Sequence, residues 1–115
     1  MASHDTRTAY NVNIIHNLLK IPFKYVHTVY NQDDAAVDLT GKAVVFTLRK
    51  YENGPALATI SVGDGVTIAT NVVTYEKDIS SYIKEGVYYY DIVNTTDNEP
   101  IQDGKLICTY TARNV

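Results

Sequence analysis

The 115-residue sequence contains no tryptophan, a single cysteine and only three prolines. One cysteine excludes the internal disulfides on which small secreted domains commonly depend. No apolar stretch approaches the roughly 20 residues that a membrane-spanning helix requires. Residues 1–8 also lack the apolar segment of a secretory signal. We therefore expect a protein that is made in the reducing cytoplasm and has no membrane partner.

The sequence has no excess of positive charge. Its formal net charge is -3 and its isoelectric point is near 5.5. The ten Lys and Arg residues are scattered, with Arg49 and Lys50 as the only adjacent pair. Binding to phosphates requires basic residues gathered on one surface, so we expect no nucleic-acid partner. A composition of 45% apolar and 20% charged residues is that of one globular domain.

Ten tyrosines and regularly spaced Gly, Asn and Asp clusters indicate short strands separated by turns. Between the clusters, apolar residues alternate with polar ones, a period that only an extended chain places on one face. The pattern predicts strands within residues 11–19, 22–30, 42–50, 56–62, 66–68, 72–79, 87–93 and 105–111.

One segment departs from this alternation. Ile79, Tyr82 and Ile83 follow a helical spacing, with Asp78 as a possible N-cap and Gly86 as a stop signal. We therefore predict one short helical turn near residues 79–84.

The predicted fold is an all-β, immunoglobulin-like antiparallel sandwich of about seven or eight strands. Residues 11–115 form this single domain, and residues 1–10 form a flexible, polar N-terminal arm. Gly86 followed by Tyr88 is typical of a tyrosine corner, in which the tyrosine hydroxyl bonds to the backbone upstream.

Four segments in order give the sequence a family resemblance. They are an early strand at 23–30, the turn 36–41 leading into 43–50, a Gly-rich region ending at 65–68, and the segment 84–92. Within the turn, Leu39 is expected to plug the edge of the sandwich and Gly41 to allow the chain to reverse. This order resembles a small domain of tailed-bacteriophage virions, similar to the N-terminal domain of siphophage baseplate upper proteins and to fibre-attachment proteins. The similarity spans about residues 11–112.

The resemblance implies a virion protein made in the host cytoplasm. Its position stays open: a tail, baseplate or fibre adaptor, or a capsid decoration or cement protein. The implied partners are other virion proteins and further copies of the chain itself.

Residues able to support catalysis or bind metal are few and separated. Adjacent Ser3, His4 and Asp5 cannot form a catalytic triad, which needs side chains from separate elements.

His16 and His27 lie in neighbouring predicted strands but lack the further ligands of a zinc site. Acidic turns around 33–34, 64 and 97 are explained by the preference of Asp for turns. Cys108 lies in an apolar run and is expected to be a buried, inert thiol. We predict no enzyme activity, no metal and no cofactor.

Aromatic residues at strand ends and on outer faces are the interface candidates, because tyrosine is enriched in binding hot spots. The tyrosines in question are Tyr10, Tyr30, Tyr51 and Tyr89. A carbohydrate-binding module for a host surface glycan is the alternative, with Tyr51, Tyr89 and Asn94 as candidates.

Overall fold

The computed structural model describes residues 10–31 and 33–110, and within these ranges all regular structure is β. The all-β class is therefore confirmed. None of the described residues forms a helix long and apolar enough to cross a membrane. The nine strands are β1 Tyr10–Asn11, β2 Ile14–Asn17, β3 Phe23–Thr28, β4 Val44–Arg49, β5 Ala56–Val62, β6 Gly65–Ala69, β7 Val72–Lys77, β8 Gly86–Asn94 and β9 Glu99–Thr109.

The strands form one hydrogen-bonded sheet that folds over on itself. Its order is β1-β9-β8-β4-β5-β6-β7-β3, and β2 also pairs with β9. One layer contains β3, β7 and β6, and the other contains β1, β2, β9, β8, β4 and β5. This is the strand order of an immunoglobulin-like sandwich. A short contact between β5 and β6 joins the two layers and makes the molecule nearly a barrel.

The core lies between the layers and is lined by every second residue of the long strands. Phe46 on β4 lies at its centre, with ring centroids 5.6 Å from Phe23, 5.6 Å from Tyr75 and 5.2 Å from Tyr90. Leu39 in the loop before β4 is also almost completely buried. In the three strands whose apolar residues alternate most regularly, the residues that share the more apolar face are all buried: Val44, Phe46, Leu48, Val73, Tyr75, Tyr88, Tyr90 and Ile92.

The predicted helical turn near residues 79–84 was wrong. This segment contains a turn closed by one bond, from the Tyr82 amide to the Ile79 carbonyl at 2.9 Å, and no helix. Ile79 and Ile83 are both buried in the core, and Gly86 begins β8 instead of ending a helix. An isolated turn brings residues i and i+3 together just as a helix does. The spacing of the apolar side chains therefore does not distinguish a turn from a helix.

The N-terminal strand and the pairing pattern also differ from the prediction. In place of the one strand predicted within residues 11–19, the chain forms two short strands, β1 Tyr10–Asn11 and β2 Ile14–Asn17, which both run parallel to β9. The contact between β5 and β6 is parallel as well, so the sandwich is not antiparallel throughout. Residues 1–9 of the predicted arm lie outside the described residues, and Tyr10 begins β1.

Gly104, which reads as part of a turn, lies inside β9 opposite Tyr90. A Cβ at Gly104 would overlap the carbonyl oxygen of Val12, because the backbone between β1 and β2 passes directly over this position. The glycine therefore permits close approach of two backbones and does not reverse the chain.

Candidate functional site

The outer surface of the larger layer combines charged, aromatic and exposed apolar side chains. Strands β4, β8 and β9 alternate between buried and partly exposed residues, so their odd-numbered positions face away from the core. We call this surface the outer face. It consists of Asn11, Ile15, Val45, Thr47, Arg49, Val87, Tyr89, Asp91, Val93, Asp103, Lys105 and Ile107.

Strand register sorts the charged residues of the outer face into two rows. Lys105, Tyr89 and Arg49 are direct cross-strand neighbours on β9, β8 and β4, and we call them the basic row. Two residues further along, Asp103, Asp91 and Thr47 form the acidic row. Each residue of one row is therefore about 7 Å from its counterpart in the other.

Apolar side chains flank these rows on both sides. Beyond the basic row, Ile15, Ile107 and Val87 are cross-strand neighbours, and Ile15 and Val87 are 73% and 42% exposed. Beyond the acidic row, Val93 pairs with Val45. Cross-strand apolar neighbours form a continuous surface, unlike single exposed hydrophobic residues scattered over a protein.

The two charged rows of the outer face line a groove of about 590 Å³ around Tyr89, together with the loop residues Glu52 and Asn53. Arg49 forms one wall because its guanidinium is held twice: Nε donates to the Gly54 carbonyl at 2.9 Å, and Nη1 pairs with Asp91 at 2.5 Å. On the other side, Asn11 Nδ2 donates to Asp103 Oδ1 at 3.1 Å. The groove therefore presents an aromatic ring among fixed polar groups.

A buried hydrogen-bond network lies on the inner side of the same strands. The Tyr90 hydroxyl is 2.6 Å from the Val12 carbonyl, which can only accept, so Tyr90 donates there. Gln102 Nε2 then donates to the Tyr90 and Tyr25 hydroxyls, at 2.9 and 2.8 Å. The Gln102 carbonyl oxygen consequently faces His27 Nδ1, at 3.1 Å.

This arrangement determines which tautomer the neutral His27 ring adopts. Nδ1 carries the hydrogen that Gln102 accepts, and Nε2 accepts from the Tyr75 hydroxyl at 2.8 Å. Burial lowers the pKa of His27, against a smaller opposing effect of the Gln102 bond. Burial also raises the pKa of Tyr90 to about 12. The ring nitrogens of His27 are thus bonded within the core, where they support structure.

The other groups considered for chemistry are separated in the structure. The His16 ring packs edge-on against Phe23, with centroids 5.1 Å apart. Asp64 pairs with Lys77 at 2.6 Å, and Asp97 with Lys42. No group of three or more His, Cys, Asp or Glu side chains among residues 10–31 and 33–110 is arranged to hold a metal ion.

Cys108 is buried in the core, and burial raises the pKa of its thiol to about 11. A thiol with such a pKa contains almost no thiolate near neutral pH, and thiolate is the nucleophilic form.

The residues singled out for structural roles occupy defined positions. The Lys84 amide donates to the Tyr88 hydroxyl at 2.9 Å, which is the contact of a tyrosine corner. Gly41 has a φ of +78° in the turn closed by the bond from the Lys42 amide to the Leu39 carbonyl.

The candidate interface tyrosines do not form one site. Tyr89 lies at the centre of the basic row, and Tyr51, 68% exposed, follows β4 at the same end of the molecule. Tyr30 is exposed at the opposite end, beside Asn94. The side chain of Tyr10 lies outside the described residues.

Asn94 is unsuitable as a glycan contact. It is only 3% exposed, and its amide donates to Asp97 at 2.9 Å. Asn94 is the last residue of β8, and its side chain points inward. Continuing the alternation of β8 to residue 94 would have predicted this burial from the sequence.

The chain matches no protein-family model, and comparisons with curated proteins and with solved structures returned no match. The resemblance to bacteriophage virion domains therefore stays a prediction. The class that the fold and the outer face define is a β-sandwich domain with a polar and apolar sheet surface exposed to solvent.

Proposed function

We propose that this protein is a non-catalytic structural subunit that acts by binding other proteins through its outer face. The observation that carries the proposal is the exposure of cross-strand apolar residues beside the two charged rows. Ile15 lies on β2 and Val87 on β8, the two strands that flank β9 at this position, and both side chains are substantially exposed. Contiguous exposed apolar side chains next to polar groups mark many protein-binding surfaces.

The rigidity of the outer face supports the same function. Its side chains project from three long, directly paired strands whose inner residues form the core. Arg49 is further held by Asp91 and by the loop carbonyl of Gly54. A surface ordered in advance loses less conformational entropy when a partner binds, which favours association.

Two interior groups that could act in catalysis, His27 and Cys108, are poorly suited to it. His27 is bonded at both ring nitrogens, and Cys108 has a raised thiol pKa. Catalytic bases and nucleophiles need access to a substrate and a pKa suited to the reaction. Among the described residues, the most strongly perturbed titratable groups are instead core tyrosines and the buried thiol.

The virion context of this proposal rests on the sequence resemblance. A virion subunit that is made in the host cytoplasm and assembles with other virion proteins is consistent with the compact fold and the lone, buried Cys108. Tail, baseplate, fibre and capsid-surface positions all suit a small sandwich that binds through one sheet face.

Particle composition tests this function directly. Virus particles released from host cells that express this chain would be banded on a density gradient. The amount of the chain in the band would then be measured by peptide mass spectrometry relative to a major coat protein. We expect a fixed copy number per particle that survives a second gradient at high salt. Loss of the chain from the banded particles would refute the virion role.

A carbohydrate-binding module is the second candidate, and the groove around Tyr89 favours it. An aromatic ring among amide and carboxylate groups is a suitable surface for a neutral sugar, which stacks on the ring and bonds to the polar groups. Isothermal titration with neutral oligosaccharides tests this candidate. Binding that is lost in Tyr89→Ala but kept in Tyr82→Ala, an exposed tyrosine away from the groove, would support it.

A further inference from the structure

We propose that the outer face binds the outer face of a second copy of this chain, about a two-fold axis between the basic and acidic rows. Lys105 of each copy then faces Asp103 of the other. This inference rests on the proposed function as a protein-binding subunit and names one partner and one surface for it.

The first observation is that Lys105 and Asp103 carry charges without an ionic partner. Within the part of the chain that the structure describes, ion pairs occupy Lys42, Arg49 and Lys77, but neither Lys105 nor Asp103. The Lys105 side chain is exposed on β9, and Asp103 accepts one hydrogen bond, from Asn11, through Oδ1. Its second carboxylate oxygen remains available to a cation.

The second observation is the order of the rows. A two-fold rotation about an axis parallel to the rows and midway between them keeps each strand opposite its own copy and exchanges the rows. Lys105 on β9 therefore comes opposite Asp103 on β9 of the second copy, and the reverse contact forms as well. On β8, the same operation brings Tyr89 opposite Asp91, whose carboxylate can accept from the tyrosine hydroxyl.

The apolar residues follow the same symmetry. Val87 lies two positions before Tyr89, and Val93 lies two positions after Asp91, so the rotation places Val87 of one copy opposite Val93 of the other. One operation thus pairs opposite charges at the centre and apolar groups on both sides. Two-fold dimers require such a self-complementary surface, and closed two-fold symmetry is the commonest form of association.

The charge pattern favours a second copy over a sugar as the occupant of this face. Sugar hydroxyls can form hydrogen bonds to Lys105 and Asp103, but a neutral saccharide brings no opposite charge to either group, whereas a second copy brings one to each. A second copy pairs both charges and also covers Val87, which lies beyond the reach of a single sugar ring at Tyr89.

Sedimentation velocity of the full chain, from about 1 to about 500 µM, tests this dimer. We expect a concentration-dependent equilibrium between monomer and dimer. Lys105→Asp and Asp103→Lys should each raise the dissociation constant at least tenfold, since each places like charges together at two symmetric contacts. The double variant Lys105→Asp/Asp103→Lys restores opposite charges at both contacts and should return the dissociation constant to within about threefold of the original.

The matched control is Lys24→Asp. Lys24 is also an exposed strand lysine with an acidic cross-strand neighbour, Glu76, but both residues lie in the layer that does not carry the outer face. This change should leave the dimer intact. Thermal melting by circular dichroism verifies that each variant is folded before its association is measured.

Each outcome decides the inference. A dimer that the single variants weaken and the double variant restores supports it. A dimer unaffected by Lys105→Asp, or one weakened equally by Lys24→Asp, overturns the assignment of this face. A chain that stays monomeric over the whole range overturns self-association, whereas the particle experiment decides the proposed function independently. Sugar-dependent binding that Lys105→Asp leaves unchanged would assign the groove to a glycan instead.

Discussion

Replacing Gln102 by leucine is expected to destabilise the protein by about 3 kcal/mol. Gln102 is 6% exposed and forms three side-chain hydrogen bonds, to His27, Tyr25 and Tyr90. A neutral hydrogen bond contributes roughly 1 kcal/mol net, and a buried donor left without a partner costs about 1–3 kcal/mol. Leucine has a similar volume and offsets part of this loss through its apolar surface, which leaves about 3 kcal/mol.

Urea unfolding monitored by circular dichroism measures this change, because a loss of about 3 kcal/mol is large against the total stability of roughly 5–15 kcal/mol of an ordinary domain. Tyr25→Phe alone should cost about 1 kcal/mol, and clearly less when Gln102 is already leucine, because the shared bond is then absent. A loss below 1 kcal/mol for Gln102→Leu, or full additivity of the two changes, would refute the network as described.

Three further outcomes are expected. Burial lowers the folded-state pKa of His27 below the usual value of about 6.5, so stability is complete above that pH and declines as the pH falls below it, by at most about 1.4 kcal/mol per pH unit. Burial lowers the pKa of His16 in the same direction, and solvent screening makes the contribution of this more exposed ring smaller. His27→Gln should reduce the pH slope of stability in urea titrations at successive pH values. Gly104→Ala should cost about 2 kcal/mol or more in urea unfolding, since the new methyl overlaps the Val12 carbonyl, and an unchanged free energy of unfolding would contradict this contact. Cys108 should not react with a thiol reagent at pH 7 in the native protein and should react on unfolding; rapid native reaction would contradict its burial.

Much of the fold could be predicted from alternation along single strands. Residues 44, 46 and 48, and 88, 90 and 92, share a face in any extended chain, and both sets are buried. The tyrosine corner was also visible, because Gly86 and Tyr88 are close in sequence. By contrast, the turn at 79–82 has the side-chain spacing of a helix, and only the backbone path separates the two structures.

The candidate site depended on contacts between distant segments. Lys105, Tyr89 and Arg49 form a row only because β9, β8 and β4 are adjacent in one particular register. A shift of one residue in β8 would turn Tyr89 toward the core, and the same shift in β9 would turn Lys105 toward it. Local sequence does not specify that register, since it results from the packing of the whole core and from the turns between strands.

The sequence by itself determined the all-β class, the inward faces of the central strands and the burial of Cys108, because these follow from the two-residue period of an extended chain and from apolar composition. Only the tertiary structure decided the parallel pairing of β1 and β2 with β9, and the enclosure of Gln102 among His27, Tyr25 and Tyr90. The physical reason is that these contacts join residues many positions apart, which local side-chain preferences do not encode, and which form only when the layers close around a shared core.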